Sequence, residues 1–202
     1  MTPRKTEITR DDILPMEVYG RERVERRRAL VAMKRDRRVP VGPYAMFLFE
    51  NYATMWQQIH EMLFIERGGE AQIEGELSAY NPLIPQGREL VATVMFEIAA
   101  PALRQRMLSR LSGIERHMEL RVGPHRIAGR PEDDAERTTA DGKTSAVHFI
   151  HFDFTDAQVA AFHNPAVPAL VALTHPDYSH MAEISPAVRA SLCGDFSPTP
   201  LF

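Results

Sequence analysis

The stretch Leu90-Val91-Ala92-Thr93-Val94-Met95-Phe96-Glu97-Ile98 decides the fold class. Leu90, Ala92, Val94, Phe96 and Ile98 are apolar, and Thr93 and Glu97 are polar. Successive side chains of a strand point to opposite faces, so this alternation predicts a strand with its even positions turned into a core. Working outward, Ser145–Phe154 reads as a second strand. Apolar residues occupy both of its faces, which places it in the centre of a sheet. Tyr44–Glu50 reads as another. Arg116–Val122 and His125–Gly129 flank Gly123-Pro124, and glycine at the first turn position predicts a type II′ hairpin. Val167–Thr174 and Met181–Ile184 form a last hairpin.

Single helices separate these strands. Thr9 is the expected cap of an N-terminal helix whose main body starts at Pro15 and runs to about Arg38, with a thin apolar stripe of Val18, Val24, Val31 and Met33. Val39–Pro43 holds two prolines and a glycine and reads as a connector. Thr54, with Gln57 three residues on, is the expected cap of a second helix, which buries Met55, Trp56, Ile59, Met62 and Leu63 and stops at Gly68-Gly69. A weaker helix carries Ile73, Leu77 and Tyr80. Pro101 opens another, with Leu103, Met107 and Leu111. Thr155 with Gln158, and Ser185 with Pro186, start the last two, and Gly194 closes the second of these. Hairpins interspersed with helices define an α+β fold: a mainly antiparallel sheet with helices packed on it, in one domain over 1–202. The basic helix of residues 1–38 is expected as an appendage, and 195–202 as an extended tail.

Net charge is −3, unevenly spread. Residues 1–38 hold 12 Lys or Arg against 7 Asp or Glu, while the rest hold 12 against 20. Such asymmetry marks a docking surface or a solvated helix laced by its own ion pairs. Arg26, Arg27 and Arg28 are its densest run and the expected partner contacts. Nucleic acid is not the expected partner, because no aromatic residues interleave the charge. No apolar run reaches the ~18 residues of a membrane span. No apolar segment follows the N-terminal residues, and Cys193 is the one cysteine. The expectation is a cytoplasmic protein that does not engage a membrane.

Familiar chemical motifs fail on inspection. Gly142-Lys143-Thr144 ends like a phosphate loop, but Arg137 stands where the first glycine belongs, and a strand follows rather than a helix. His60-Glu61 opens like a zinc-protease motif, but Phe64 occupies the second histidine position. The histidines remain. His148 shares a strand face with Ile150 and Phe152, and His151 points to the other face. His175 and His180 flank Pro176–Ser179, and symmetric pairing would set their Cβ atoms ~5 Å apart. With His117 and Glu115 they make a candidate iron or zinc ligand set, against the alternative of hydrogen-bonded core histidines and polar hairpin ends. The acidic segment 131–144 runs into His148, and Glu132, Asp133 and Arg137 are the charges expected beside it.

Leu48-Phe49-Glu50-Asn51, Gln58–Leu63, Ala79-Tyr80-Asn81-Pro82-Leu83-Ile84-Pro85, Gly113–His117 and Thr144–Phe149 occur in this order. Together they resemble the bacterial family catalogued as domain of unknown function 3501, over nearly the whole chain. The resemblance implies no catalytic residues. It does imply a context, since the family's genes tend to lie beside those for rubrerythrin-like di-iron proteins and iron–sulfur oxidoreductases. The expected function is therefore a non-catalytic accessory or partner protein of a bacterial iron-linked redox system. The alternative is a metal-dependent enzyme or metal sensor built on the histidines.

Overall fold

The computed structural model describes residues 5–132 and 143–196. Eight strands form one antiparallel sheet: β1 (Arg38–Val41), β2 (Ala45–Phe49), β3 (Glu89–Phe96), β4 (Met118–Val122), β5 (His125–Pro131), β6 (Val147–Asp153), β7 (Ala169–His175) and β8 (Tyr178–Glu183). Their spatial order is β1-β2-β3-β6-β5-β4-β7-β8. The sheet curls until β1 lies beside β8, so the fold is a near-barrel. The residues that face in are those of the alternation at Leu90: Leu90 pairs with Phe152, Ala92 with Ile150 and Val94 with His148. Phe47, Phe49 and Phe152 are fully buried there, each contributing roughly 1.5–3 kcal/mol through burial.

The seam between β1 and β8 is closed by one side chain rather than a ladder. The Tyr178 hydroxyl accepts from the Tyr44 and Ala45 amides at 2.9 and 3.0 Å and donates to the Val41 carbonyl at 2.8 Å. Gly42, in the β1–β2 turn, has φ +66°, and a Cβ there would sit 2.6 Å from the His180 ring. That seam needs glycine both for its backbone conformation and for its space.

Among the described residues six α-helices accompany the sheet: α1 (Met16–Arg35), α2 (Tyr52–Glu66), α3 (Glu70–Tyr80), α4 (Pro101–Arg110), α5 (Asp156–His163) and α6 (Pro186–Cys193). A second apolar cluster lies outside the barrel. Ile8, Met55, Ile59, Leu63, Ile73 and Leu77 pack with Val91 and Phe149 from the outer face of β3 and β6. α1 packs on α2, where a Cβ at Gly20 would come within 2.9 Å of the Phe64 ring. Tyr19 is fully buried in that contact and donates to Glu61 at 2.6 Å. Arg23 reaches both Glu61 oxygens, at 2.9 and 2.8 Å. That guanidinium outweighs burial and holds the Glu61 carboxyl down to about 2.

Several boundaries differ from the sequence reading. Val39–Pro43 is not a plain connector, because Arg38–Val41 forms the edge strand β1, where Pro40 is tolerated. Thr9 caps only the 3₁₀ turn Arg10–Asp12, and α1 begins after Pro15. Residues 1–38 are not an appended helix: α1 ends at Arg35, and Arg37 is buried, bonded to the carbonyls of Phe49 and Glu50 and paired with Asp195. The stripe is also misplaced, since Val24 and Val31 are 62% and 70% exposed. α2 is capped by Asn51 with Thr54 as its reciprocal partner, not by Thr54 with Gln57. Asp195 and Phe196 are buried rather than an extended tail, and Phe196 packs on Phe154 and Phe162. Residues 197–202 lie outside the described residues.

Candidate functional site

The expected metal ligands do not meet. His148 is fully buried inside the barrel on β6, with Nε2 2.9 Å from the Ser145 carbonyl and its ring edge-on to Phe96. His175 pairs with Tyr178 and His180 with Leu173, so the hairpin turns over Pro176-Asp177 alone. The longer turn assumed from sequence would have set the two histidines opposite each other. The true register makes them diagonal neighbours, and the rings part. His180 packs on the Tyr178 ring at 4.5 Å. His175 accepts from the Asp177 amide at 3.1 Å through Nδ1, and its Nε2 lies 3.2 Å from the Ser112 carbonyl. Both of its nitrogens are occupied. His117 does meet His175, with ring centroids 5.1 Å apart. Glu115 sits in the turn Ile114–Arg116 and keeps one buried oxygen without a hydrogen-bond partner. Among the described residues no three His, Cys, Asp or Glu side chains gather in a way that holds a metal ion.

The structure brings together a group that sequence spacing did not show. His151 faces outward from β6 and is almost fully buried. Its Nδ1 lies 3.0 Å from Glu89, and its Nε2 lies 3.5 Å from Glu132. Burial and the Arg130 charge would lower the imidazole, but the bond and charge of Glu89, with the bond to Glu132, prevail and raise it. The carboxylates occupy opposite nitrogens, so the arrangement holds a proton rather than a metal. Glu132 was expected beside His148, which lies on the other face of the strand. Asp133 and Arg137, expected with it, lie outside the described residues. Glu89 and His151 are 62 positions apart and meet only through the β3–β6 register, in which Leu90 opposes Phe152.

The arginine run divides. Arg26 is tied to Glu22 and lies over the Trp56 ring, 4.9 Å from its centroid. Arg27 is exposed at the flank of the helix, where its charge acts on Glu61 of α2, while Arg28 is exposed on the side of α1 turned away from α2. Helical spacing sets Arg21, Val24, Arg28, Val31 and Arg35 along that same face, with Arg27 at its edge. No helix among the described residues is long and apolar enough to cross a membrane.

A single-domain α+β near-barrel with a helical outer layer is thus the class of protein that the fold defines. The chain belongs to the family described as "Protein of unknown function (DUF3501)", which matches residues 7–196. It is also similar to a solved structure, described as a crystal structure of a novel protein of unknown function from Burkholderia pseudomallei K96243. The two share 39% sequence identity with a TM-score of 0.87, over 94% of this chain and 99% of the other. No curated protein matches the chain.

Proposed function

We propose that the protein is a non-catalytic accessory factor that docks through the outer face of α1 onto an acidic surface of a redox protein in the bacterial cytoplasm. The observation that carries this reading is the exposed stripe of Arg21, Val24, Arg28 and Val31 on the side of α1 that α2 leaves uncovered, with Arg27 exposed at its edge. Two exposed valines between guanidiniums give an anchor that charge alone lacks, and basic rims speed encounter with acidic partners. The gene context implied by the family resemblance supplies the partner class: a rubrerythrin-like di-iron protein or an iron–sulfur oxidoreductase.

The test is a titration against such a purified partner. Replacing Arg27 and Arg28 together by alanine, with Arg26 left intact, weakens binding by roughly tenfold or more and flattens its salt dependence. Unchanged affinity in the double variant refutes the docking face.

A second reading, a metal-dependent enzyme or sensor, rests on the edge-on His117–His175 pair, where a metal would have to displace the Asp177 amide or the Ser112 carbonyl from the His175 ring. Iron or zinc would be the metal, and elemental analysis of chelator-free protein with His117→Ala alongside decides it. Stoichiometric metal lost in the variant supports the reading, and metal retained by the variant ends it for this pair.

A further inference from the structure

Residues 5–15 cross the outer layer as a strap whose only regular structure is the turn Arg10–Asp12. Ile8 is its one buried side chain. The strap is held by side chains of the layer beneath it. Asn81 bonds both ways with Ile8, accepting from its amide and donating to its carbonyl at 2.9 Å each. Gln86 donates to the Thr6 carbonyl and Trp56 to the Asp12 carbonyl, each at 2.9 Å. The last tie is the Leu14 amide, which donates to His60 Nε2 at 3.0 Å.

Cavities lie on both sides of this segment. One of about 1250 Å³ is walled by Arg10, Asp11, Ile13 and Leu14 of the strap and by the start of α1, with Leu63, Phe64 and Ile73 opposite. Another of about 510 Å³ is walled by Glu7–Arg10, with Glu74, Leu77 and Asn81 opposite. The strap therefore borders two voids and is held by these polar ties together with Ile8 and Ile13, which pack on the apolar cluster of α2 and α3.

We propose that the strap is an acid-releasable lid over the α2–α3 groove, latched by His60 accepting the Leu14 amide. The ring has only one tautomer that suits its partners. Nδ1 lies 2.7 Å from the Trp56 carbonyl and must carry the proton, which leaves the Nε2 lone pair for Leu14. A second proton turns Nε2 into a donor facing another donor, and the tie is lost. The fully buried ring is stacked on Trp56 at 3.7 Å and faces Tyr19 at 5.0 Å, so an imidazolium there has no water to turn to. Tyr19 faces the ring and the Arg26 charge acts on it; the other charged groups of the elements packed there are Arg23, paired with Glu61, and Asp12 of the strap, whose carbonyl accepts from Trp56. Glu74 of α3 is tied to Arg10.

Burial lowers the His60 imidazole most, the Trp56 carbonyl opposes this, and the Arg26 charge adds to the lowering. The closed state thus binds the proton less well than the released strap. Closure is fully favoured above the ordinary histidine value of ~6.5 and weakens as pH falls below it. Release joins the two cavities into one groove floored by Leu63, Ile73 and Leu77.

Amide hydrogen exchange, normalised to an unstructured peptide at each pH, tests the latch. Between about pH 7.5 and about pH 5, residues 6–15 of the wild type lose roughly tenfold or more protection, while β3 and β6 keep theirs. His60→Gln, which retains an acceptor and a donor but does not titrate, stays protected at both values. Equal protection of the wild-type strap at both values overturns the proposal, and so does a His60→Gln strap that is released like the wild type. If that variant does not fold, nitrogen NMR of the wild-type ring decides. A proton on Nδ1 at neutral pH, with strap exchange following the titration of that ring, supports the latch. A proton on Nε2 at neutral pH, or exchange that ignores the titration, overturns it.

Discussion

The near-barrel and the helical layer on its outer face are joined along β3 and β6, yet different kinds of contact hold them. Inside the barrel, ladders and apolar side chains dominate, His148 is bonded to the Ser145 carbonyl, and the closures at the seam and at the α5–α6 corner use groups that do not titrate near neutrality. Tyr178 closes the seam. Arg189 donates to the carbonyls of Ala161, Phe162, Asn164 and Val167, which terminates α5 against α6. In the outer layer the ties pass through His60, His151, Glu61 and Glu89. A backbone ladder cannot respond to a proton, but a histidine or a carboxylate can. The comparison teaches that the closures of the barrel do not depend on a proton, whereas the ties of the outer layer through His60 and His151 do.

The largest effect that would break this contrast lies in the barrel half. Arg189→Met leaves four carbonyls without their guanidinium and is expected to cost about 3–4 kcal/mol, or roughly 10 °C in Tm by calorimetry. A loss below about 1 kcal/mol would mean that the carbonyls find water, and that the corner is not fixed by this side chain. Tyr178→Phe keeps the ring and removes three hydrogen bonds at the seam. About 2–3 kcal/mol should disappear in urea unfolding, with no dependence on pH between about 5 and 8.

A smaller effect tests the outer layer. The His151 imidazole is raised in the folded state, so its contribution is complete below ~6.5 and fades as pH rises through the folded value. Glu89→Gln removes the main charge that raises it. The variant should lose about 1 kcal/mol near pH 6 and less near pH 8.5, a pattern opposite to that of His60. Equal losses at both values would show that Glu89 acts as a neutral hydrogen-bond partner only. Smallest of all is Arg27→Ala with Arg28→Ala. These exposed guanidiniums should change stability by less than about 0.5 kcal/mol, so a loss of partner binding in the same protein reads out docking and not folding.

Much of this was legible in the chain. The strict alternation at Leu90–Ile98 identified β3 and its inward face, and the two-sided apolar run at Val147–Phe154 placed β6 in the centre of the sheet. The Gly123-Pro124 turn and the caps at Thr155 and Ser185 stand where local chemistry put them. These features are local, since a strand period, a turn type and a helix cap each depend on a few adjacent residues.

What failed was the part that depends on register and on what lies opposite. Val24 and Val31 read as part of a thin apolar stripe on a partly buried helix, but α2 approaches α1 from the Tyr19 side and leaves them exposed. His175 and His180 separated because the turn used two residues where four were assumed, and such a shift re-pairs every position of a hairpin. His60 stood out only as half of a failed zinc motif, and its bond to Leu14 joins positions 46 apart. Composition and period by themselves determined an antiparallel α+β domain with a basic N-terminal helix. The closed seam, the His151 proton site and the strap on His60 were decided by tertiary structure, because each joins groups whose approach is set by packing between elements and by nothing in their own neighbourhood of the chain.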